Sequence, residues 1–156
     1  MNKILVFDMD GTIADLYGVE NWLDDLIAKR VRPYAEAKPI YDMDTLVSLL
    51  DILKSLGWRV AITSWLAKNS NADYDKKVAD VKKAWLDRFD FPYDILNIVP
   101  YGTDKSSVTA IYGGYQILLD DEEKNLNDWK NGLTFNAKND IINMLITGEN
   151  GSTDRL

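Results

Sequence analysis

The chain of 156 residues contains no cysteine and no histidine. Without cysteine there can be no disulfide framework and no thiolate zinc site. Without histidine, histidine phosphotransfer, a Ser-His-Asp triad and most transition-metal centres are excluded. Any catalysis must therefore depend on Asp, Glu, Lys, Ser, Thr or Tyr, a set that suits an oxygen-liganded cation such as magnesium.

The sequence also lacks clustered basic residues and long apolar segments. Its 18 basic residues are outnumbered by 25 acidic ones, and the net charge of −7 disfavours binding to a nucleic-acid duplex. No apolar run reaches the length of a membrane span, and the first residues lack the apolar stretch of a signal peptide. We therefore expect a cytoplasmic protein that contacts neither a membrane nor duplex nucleic acid.

The most informative segment is residues 3–12, with the sequence KILVFDMDGT. The short apolar run from Ile4 to Phe7 is typical of a strand buried on both faces of a parallel sheet. It ends at Asp8 and Asp10, which are alternate residues and can point the same way from an extended chain. Because open α/β sheets bind ligands beyond the carboxyl ends of their strands, the pair indicates a ligand site. A plain Asp/Gly turn is the alternative, whereas the spacing excludes an EF-hand calcium loop.

Strand and helix patterns alternate along the rest of the chain. The predicted strands cover residues 4–7, 58–62, 95–99, 115–119 and 133–135. The predicted helices cover residues 19–31, a segment capped by Asp42 or Asp44 and ended by Gly57, a segment after the polar loop at 68–73 that carries Val78, Val81, Trp85 and Phe89, a short helix that begins at Lys105, 122–131 and 139–147. This alternation predicts a three-layer, Rossmann-like α/β fold with a mainly parallel sheet and helices on both faces. We expect one domain over residues 1–147, with a minimal helical cap insert at about 15–42 and a polar tail at 148–156.

Polar side chains follow several predicted strands at the point where each strand ends. They are Thr63 and Ser64 after the second strand, Lys105 after the third, and Asp120 and Asp121 after the fourth. In a parallel sheet these ends meet at one edge, beside Asp8 and Asp10. Phosphoryl transfer requires two acids, hydroxyl donors, a cation and an acidic pair for a metal, because positioning and electrostatics dominate that reaction.

Each of these residues has a simpler explanation when it is taken alone. Thr63 and Ser64 could cap a turn, and Lys105 could be a solvated helix residue. Asp120 and Asp121 could place favourable charge at a helix N-terminus. The functional interpretation is preferred because all the simpler explanations would have to fall on the same sheet edge.

In chain order, these residues resemble the four motifs of the haloacid-dehalogenase-like phosphatases. The motifs are Asp8-Met9-Asp10-Gly11-Thr12, Thr63-Ser64, Lys105 and Asp120-Asp121. Within that superfamily the chain is most similar to the 5′(3′)-deoxyribonucleotidases. The similar stretches are Asp8-Met9-Asp10-Gly11 followed by Ala14-Asp15, Ile62-Thr63-Ser64, Lys83-Ala84-Trp85 with Phe89, and Leu118-Leu119-Asp120-Asp121.

The resemblance implies a magnesium-dependent phosphatase that forms an aspartyl-phosphate intermediate. Asp8 would attack phosphorus, and Asp10 would protonate the leaving oxygen and then activate water. Thr63, with Ser64, would hold the phosphoryl oxygens, and Lys105 would balance their negative charge. Magnesium would be held by Asp8, the backbone carbonyl of Asp10, Asp120 and Asp121.

The same resemblance favours a nucleoside monophosphate as the substrate. Trp65 and Tyr17 could stack on its base, although Trp65 could equally be a core residue. The insert at about 15–42 is shorter than the helical cap of deoxyribonucleotidases. Such an insert would leave an open site, which could admit a 3′-phosphorylated polynucleotide or a sugar phosphate, or could be closed by a second subunit of a homo-oligomer.

A phosphoacceptor signalling module, like a response-regulator receiver, places similar residues on a parallel sheet. The chain order differs, because a receiver has its acidic pair after the first strand. Here the adjacent pair Asp120-Asp121 comes last, after Lys105. A phosphatase is therefore the preferred interpretation.

Overall fold

A five-stranded parallel sheet forms the centre of the molecule in the computed structural model, which describes residues 2–148. The strands are β1 (Lys3–Phe7), β2 (Ala14–Asp15), β3 (Lys38–Pro39), β4 (Trp58–Trp65), β5 (Ile95–Val99), β6 (Tyr115–Asp120) and β7 (Gly132–Asn136). The helices are α1 (Trp22–Ile27), α2 (Arg32–Glu36), α3 (Met43–Ser55), α4 (Ala72–Arg88), α5 (Lys105–Thr109), α6 (Glu123–Asp128) and α7 (Ile141–Thr147). The central sheet has the order β5-β4-β1-β6-β7, and β2 pairs with β3 in a separate antiparallel ribbon.

The two faces of the sheet pack against different helices. Successive side chains of a strand point to opposite faces, so Leu5 and Phe7 lie on one face of β1 and Ile4 and Val6 on the other. The first pair belongs to a core shared with α3, α4 and α7, whereas the second pair packs with Trp129, at the end of α6. This arrangement confirms the predicted three-layer α/β fold.

The central position of β1 determines where the site forms. Phe7, its last residue, is in register with Ile62 of β4 and with Leu119 of β6. The backbone N–H of Asp8 continues the ladder by donating to the carbonyl oxygen of Leu119 at 2.9 Å. The carboxyl ends of three neighbouring strands therefore lie side by side.

The insert differs from the prediction. The single helix expected over residues 19–31 is instead the short α1, followed by α2. Asn21 and Lys29 have positive φ angles of 59° and 58°, which end regular helical structure on either side of α1. Pro33, expected in a connector, lies in the first turn of α2, where its missing N–H costs nothing.

Smaller differences occur at the predicted element boundaries. Thr63 and Ser64, expected just beyond a strand, lie within β4, which extends to Trp65. Residues 13–18, for which no helix or strand was predicted, contain β2 and a 3₁₀ turn, and α6 ends at Asp128 rather than at residue 131. Leu56, at the end of the predicted second helix, follows the last residue of α3 and is 64 % exposed.

The predicted polar tail falls, apart from Gly148, outside the described residues. Between residues 2 and 148, no helix combines the length and the apolar character that crossing a membrane requires.

Candidate active site

Asp8 and Asp10 lie in a tight loop that follows β1. The backbone N–H groups of Ile13 and Ala14 both donate to the carbonyl oxygen of Met9 at 3.0 Å. Gly11 has a φ of +81°, and a Cβ at this position would clash with the carboxylate of Asp121. Glycine is therefore required both for the backbone conformation and for the close approach of the fourth motif.

A buried lysine joins the first and last of the predicted motifs. Lys105, the first residue of α5, donates from Nζ to Asp8 Oδ1 and to Asp120 Oδ2, each at 2.8 Å. Burial disfavours its charge, but the two carboxylates outweigh that effect and raise the pKa of Lys105. Burial also opposes the charge of Asp8, yet Lys105 outweighs it and lowers the pKa of that carboxyl. Asp8 is therefore held as an anion.

Three carboxylates converge beside this lysine. Oxygens of Asp8, Asp120 and Asp121 lie within 4.8 Å of one another, so these residues could hold a metal ion. The hydroxyl of Thr12 lies between two of them, 3.1 Å from Asp8 Oδ2 and 3.2 Å from Asp121 Oδ1. A donor set made only of oxygens suits a hard cation such as Mg²⁺ or Ca²⁺.

The acidic pair at the end of β6 is electrostatically crowded. Burial and the charge of Asp8 raise the pKa of Asp120 to about 6 and that of Asp121 to about 7. Asp120 is held in place, because its carboxylate accepts from the Glu122 N–H at 2.9 Å and from Asn125 Nδ2 at 3.1 Å. A bound cation would relieve the repulsion among these groups.

Asp10 faces a different lysine, which the sequence analysis missed. Lys82 of α4 is fully buried, and its Nζ donates to Asp10 Oδ2 at 2.8 Å, to Ser64 Oγ at 2.8 Å and to the Trp65 carbonyl at 2.7 Å. The same Nζ lies 5.0 Å from the ring centroid of Tyr34. All three donor positions of the ammonium are thus occupied, and the carboxylate of Asp10 is fixed in orientation.

A signal for Lys82 is present in the sequence. It falls four residues after Val78 and three before Trp85, on the stripe of α4 that is buried. A lysine on a buried helical stripe is almost always paired with a carboxylate, because an isolated buried charge is costly. The periodicity of α4 could therefore have identified it as a partner for one of the acidic motifs.

The two predicted hydroxyl ligands point in different directions. Because they are consecutive residues of β4, Thr63 and Ser64 face opposite sides of the sheet. Ser64 Oγ is engaged with Lys82, whereas Thr63 Oγ1 is buried and has no hydrogen-bond partner among the described residues. A buried hydroxyl without a partner is unusual. Thr63 is fully buried and is not among the residues that line the cleft, so its contact with phosphoryl oxygens stays a prediction.

A cleft of about 480 Å³ opens above the carboxylates. Trp65 and Tyr17, the two predicted stacking residues, both line it. Trp65 is fixed by a 2.9 Å hydrogen bond from Nε1 to the carbonyl of Thr103, and its ring centroid lies 5.4 Å from Lys105 Nζ. Tyr17 is 52 % exposed and packs edge-on against Trp22 at 4.9 Å. Trp65 is thus part of the site wall, whereas the half-exposed ring of Tyr17 lies beside Gly11, close to the acidic residues.

The chain matches no protein-family model, and a comparison with curated proteins finds no significant match. Any functional conclusion therefore depends on the residues and geometry of this site.

Proposed function

We propose that the protein is a magnesium-dependent phosphatase of the haloacid-dehalogenase-like type, which hydrolyses phosphate monoesters through an aspartyl-phosphate intermediate. The observation that carries this proposal is the separation of two aspartates with unlike partners. Asp8 lies in the acidic cluster and is kept ionised by Lys105, whereas Asp10 is held apart by Lys82. Covalent phosphoryl transfer requires one carboxylate as nucleophile and another as acid and base.

The first half of the reaction is phosphoryl transfer to the enzyme. A carboxylate oxygen of Asp8 attacks phosphorus, and the bond from phosphorus to the ester oxygen breaks. Asp10 gives its proton to that departing oxygen, so the product leaves as an alcohol. Burial raises the pKa of Asp10, although the charge of Lys82 opposes this effect. The raised pKa favours the protonated carboxyl that this step uses.

The second half returns the enzyme to its starting state. Asp10, now a carboxylate, accepts a proton from water as the water oxygen attacks phosphorus. The bond from phosphorus to Asp8 breaks, and inorganic phosphate is released. Lys82 keeps Asp10 pointing towards the reacting atoms in both steps, and the unpaired hydroxyl of Thr63 would donate to a phosphoryl oxygen.

The metal would be held by Asp8, Asp120 and Asp121, with the backbone carbonyl of Asp10 as a further ligand. When bound, magnesium offsets the negative charge that accumulates between the phosphoryl group and the acidic cluster. Lys105 contributes to the same charge balance from the opposite side of Asp8. Removal of either positive charge would leave several carboxylates facing an anionic substrate.

The proposed substrate is a nucleoside monophosphate. The cleft is large enough for a small organic leaving group, and its wall contains Trp65 and Tyr17. Aromatic stacking tolerates any base, so we expect several deoxynucleoside monophosphates to be hydrolysed with similar efficiency.

A phosphate-release screen with magnesium tests the proposal. It would compare nucleoside monophosphates, sugar phosphates and 3′-phosphorylated oligonucleotides, with the Asp8→Asn protein as the blank. Activity on sugar phosphates alone would overturn the nucleotide assignment and leave the phosphatase chemistry intact. No release from any ester, or a phosphoryl-enzyme that persists for hours, would overturn the phosphatase and favour a signalling module.

A further inference from the structure

The cleft extends well beyond the acidic cluster. Four carboxylates line it, Asp8, Asp10, Asp120 and Asp121. Apolar and aromatic side chains of the insert and of the segment after β4 also line it, namely Leu16, Leu23, Leu26, Tyr34, Leu66 and Ala67. Such a lining fits a molecule with a phosphate and an apolar or planar part.

The lining of the cleft also contains two basic residues. Lys29, from the insert, and Lys68, from the loop after β4, are the cationic side chains among the described residues that line it. The same lining contains five acidic residues, Asp8, Asp10, Asp120, Asp121 and Glu122. In a protein with a net charge of −7, two lysines in the wall of an otherwise acidic cleft are an unexpected placement.

Both lysines retain capacity to bind a ligand. Lys29 Nζ donates to the backbone carbonyl of Asn69 at 3.1 Å, and this bond uses one of the three donors of the lysine. Asn69 is the residue that follows Lys68 in the chain. Lys68 Nζ lies 5.9 Å from the ring centroid of Tyr101, which also lines the cleft. Over residues 2–148, neither lysine has a carboxylate within ion-pairing distance.

The Lys29 contact also fixes the geometry of the cleft wall. Lys29 and Asn69 have positive φ angles of 58° and 55°, so each backbone turns sharply at the point where the insert meets the loop. The hydrogen bond between Lys29 and Asn69 joins the insert to the loop after β4 at the wall of the cleft. Lys29 is thereby positioned by the fold, and Lys68 lies against the Tyr101 ring, although both lysine side chains are exposed.

We infer that the leaving group of the substrate carries a second anionic group, a phosphate or a carboxylate, which binds to Lys29 and Lys68. This inference rests on the proposed phosphatase chemistry and changes its substrate class. Among nucleotides, it replaces the nucleoside monophosphate proposed above with a nucleoside bisphosphate as the preferred substrate. The reacting phosphate would lie at the acidic cluster, and the second anion would offset the two lysine charges.

Matched pairs of esters test this inference. One pair is phenyl phosphate and 4-carboxyphenyl phosphate, and the other is a deoxynucleoside 5′-monophosphate and its 3′,5′-bisphosphate. In each pair we expect the doubly anionic ester to have a kcat/KM higher by about fivefold, mainly through KM, because an exposed ion pair contributes modestly. The preference should shrink as ionic strength rises. A preference in one pair alone would identify whether the second anion is a carboxylate or a phosphate.

The double variant Lys29→Gln with Lys68→Gln should abolish the preference. Lys77→Gln is the matched control, since Lys77 is exposed on α4 and does not line the cleft. Hydrolysis of both members of each pair with equal efficiency would overturn this inference and leave the phosphatase assignment standing. A preference that survives the double variant would also overturn it, and a failure to hydrolyse any ester would overturn the proposed function itself.

Discussion

The carboxyl edge of the sheet and the insert at residues 15–42 hold their charged groups in different ways. At the edge, the charges are buried and their partners come from distant parts of the chain, as in the contacts of Lys105 with Asp8 and Asp120. In the insert, Asp25 is buried but is paired with Arg30 and Arg32, only a few residues away, whose side chains are 67 % and 39 % exposed.

This difference has consequences for substitution. A buried charge that loses its partner remains desolvated, so changes at the edge should be severe. An exposed ion pair is worth little, so changes on the surface of the insert should mainly alter access to the cleft. The chemistry and the substrate preference of the protein should therefore be separable by mutation.

The largest effect is expected for Asp8→Asn at the edge. The amide cannot form the aspartyl phosphate, so kcat should fall by at least about a thousandfold. The fold should persist, because the substitution relieves repulsion among carboxylates and removes no apolar packing. Steady-state kinetics and circular dichroism would measure the two effects, and turnover close to that of the unchanged protein would rule out the covalent mechanism.

Removal of the metal should have an effect of similar size. A chelator should abolish activity, and magnesium should restore it better than calcium, which prefers more ligands and longer bonds. Asp121→Asn should raise the magnesium concentration for half-maximal activity by at least about tenfold. Glu123→Gln, an exposed position at the start of α6, is the control and should leave that concentration unchanged. Full activity in excess chelator would contradict the metal assignment.

Substitution of Lys82 tests whether the Lys82–Asp10 ion pair matters for turnover as much as the Lys105–Asp8 ion pair. Lys82→Gln leaves Asp10 without its cation, and we expect kcat to fall by about a hundredfold and the free energy of unfolding by about 3 kcal/mol. The neighbouring Lys83→Gln removes only an exposed pair with Asp87 and should change both quantities little. Equal behaviour of the two variants, in turnover and in urea denaturation, would show that Lys82 does not orient Asp10.

The smallest effect is expected at the half-exposed ring of Tyr17, within the insert. Tyr17→Ala should raise KM for nucleotides by about threefold to tenfold with little change in kcat, since a half-exposed ring contributes the same binding before and during reaction. Stability should be almost unaffected. Ile111→Ala, at a more exposed position away from the cleft, is the control. A fall in kcat for Tyr17→Ala would mean that the insert takes part in the chemistry and would remove the distinction between the two regions.

Features that depend on short-range interactions were predicted better than those that depend on distant contacts. The five strands of the central sheet were predicted, apart from the end of β4, because apolar periodicity and the switch from Phe7 to Asp8 are local properties of the chain. The insert was predicted poorly, because the short length of α1 depends on Asn21 and Lys29, which adopt the left-handed backbone conformation. Asparagine and lysine do not indicate that conformation in a sequence as clearly as glycine does.

The candidate site shows the same division. The grouping of Asp8, Lys105 and Asp120 followed from their positions at strand ends. The role of Ser64 did not follow from its position, because Ser64 belongs to β4 and its hydroxyl contacts Lys82 on the face of the sheet opposite Thr63. The extension of β4 by three residues beyond the predicted end is enough to separate two side chains that a loop would have presented together.

The sequence by itself determined the α/β architecture and the identity of the polar residues at the sheet edge, since both arise from hydrophobic patterning over a few residues at a time. Only the tertiary structure decided which carboxylate pairs with which lysine. That choice depends on the strand order β4-β1-β6, on the packing of α4 against β4, and on the approach of Asp121 to Gly11 across more than a hundred residues of chain. Such contacts are selected by burial of the whole core, because a buried charge is tolerated only where the assembled fold supplies its partner.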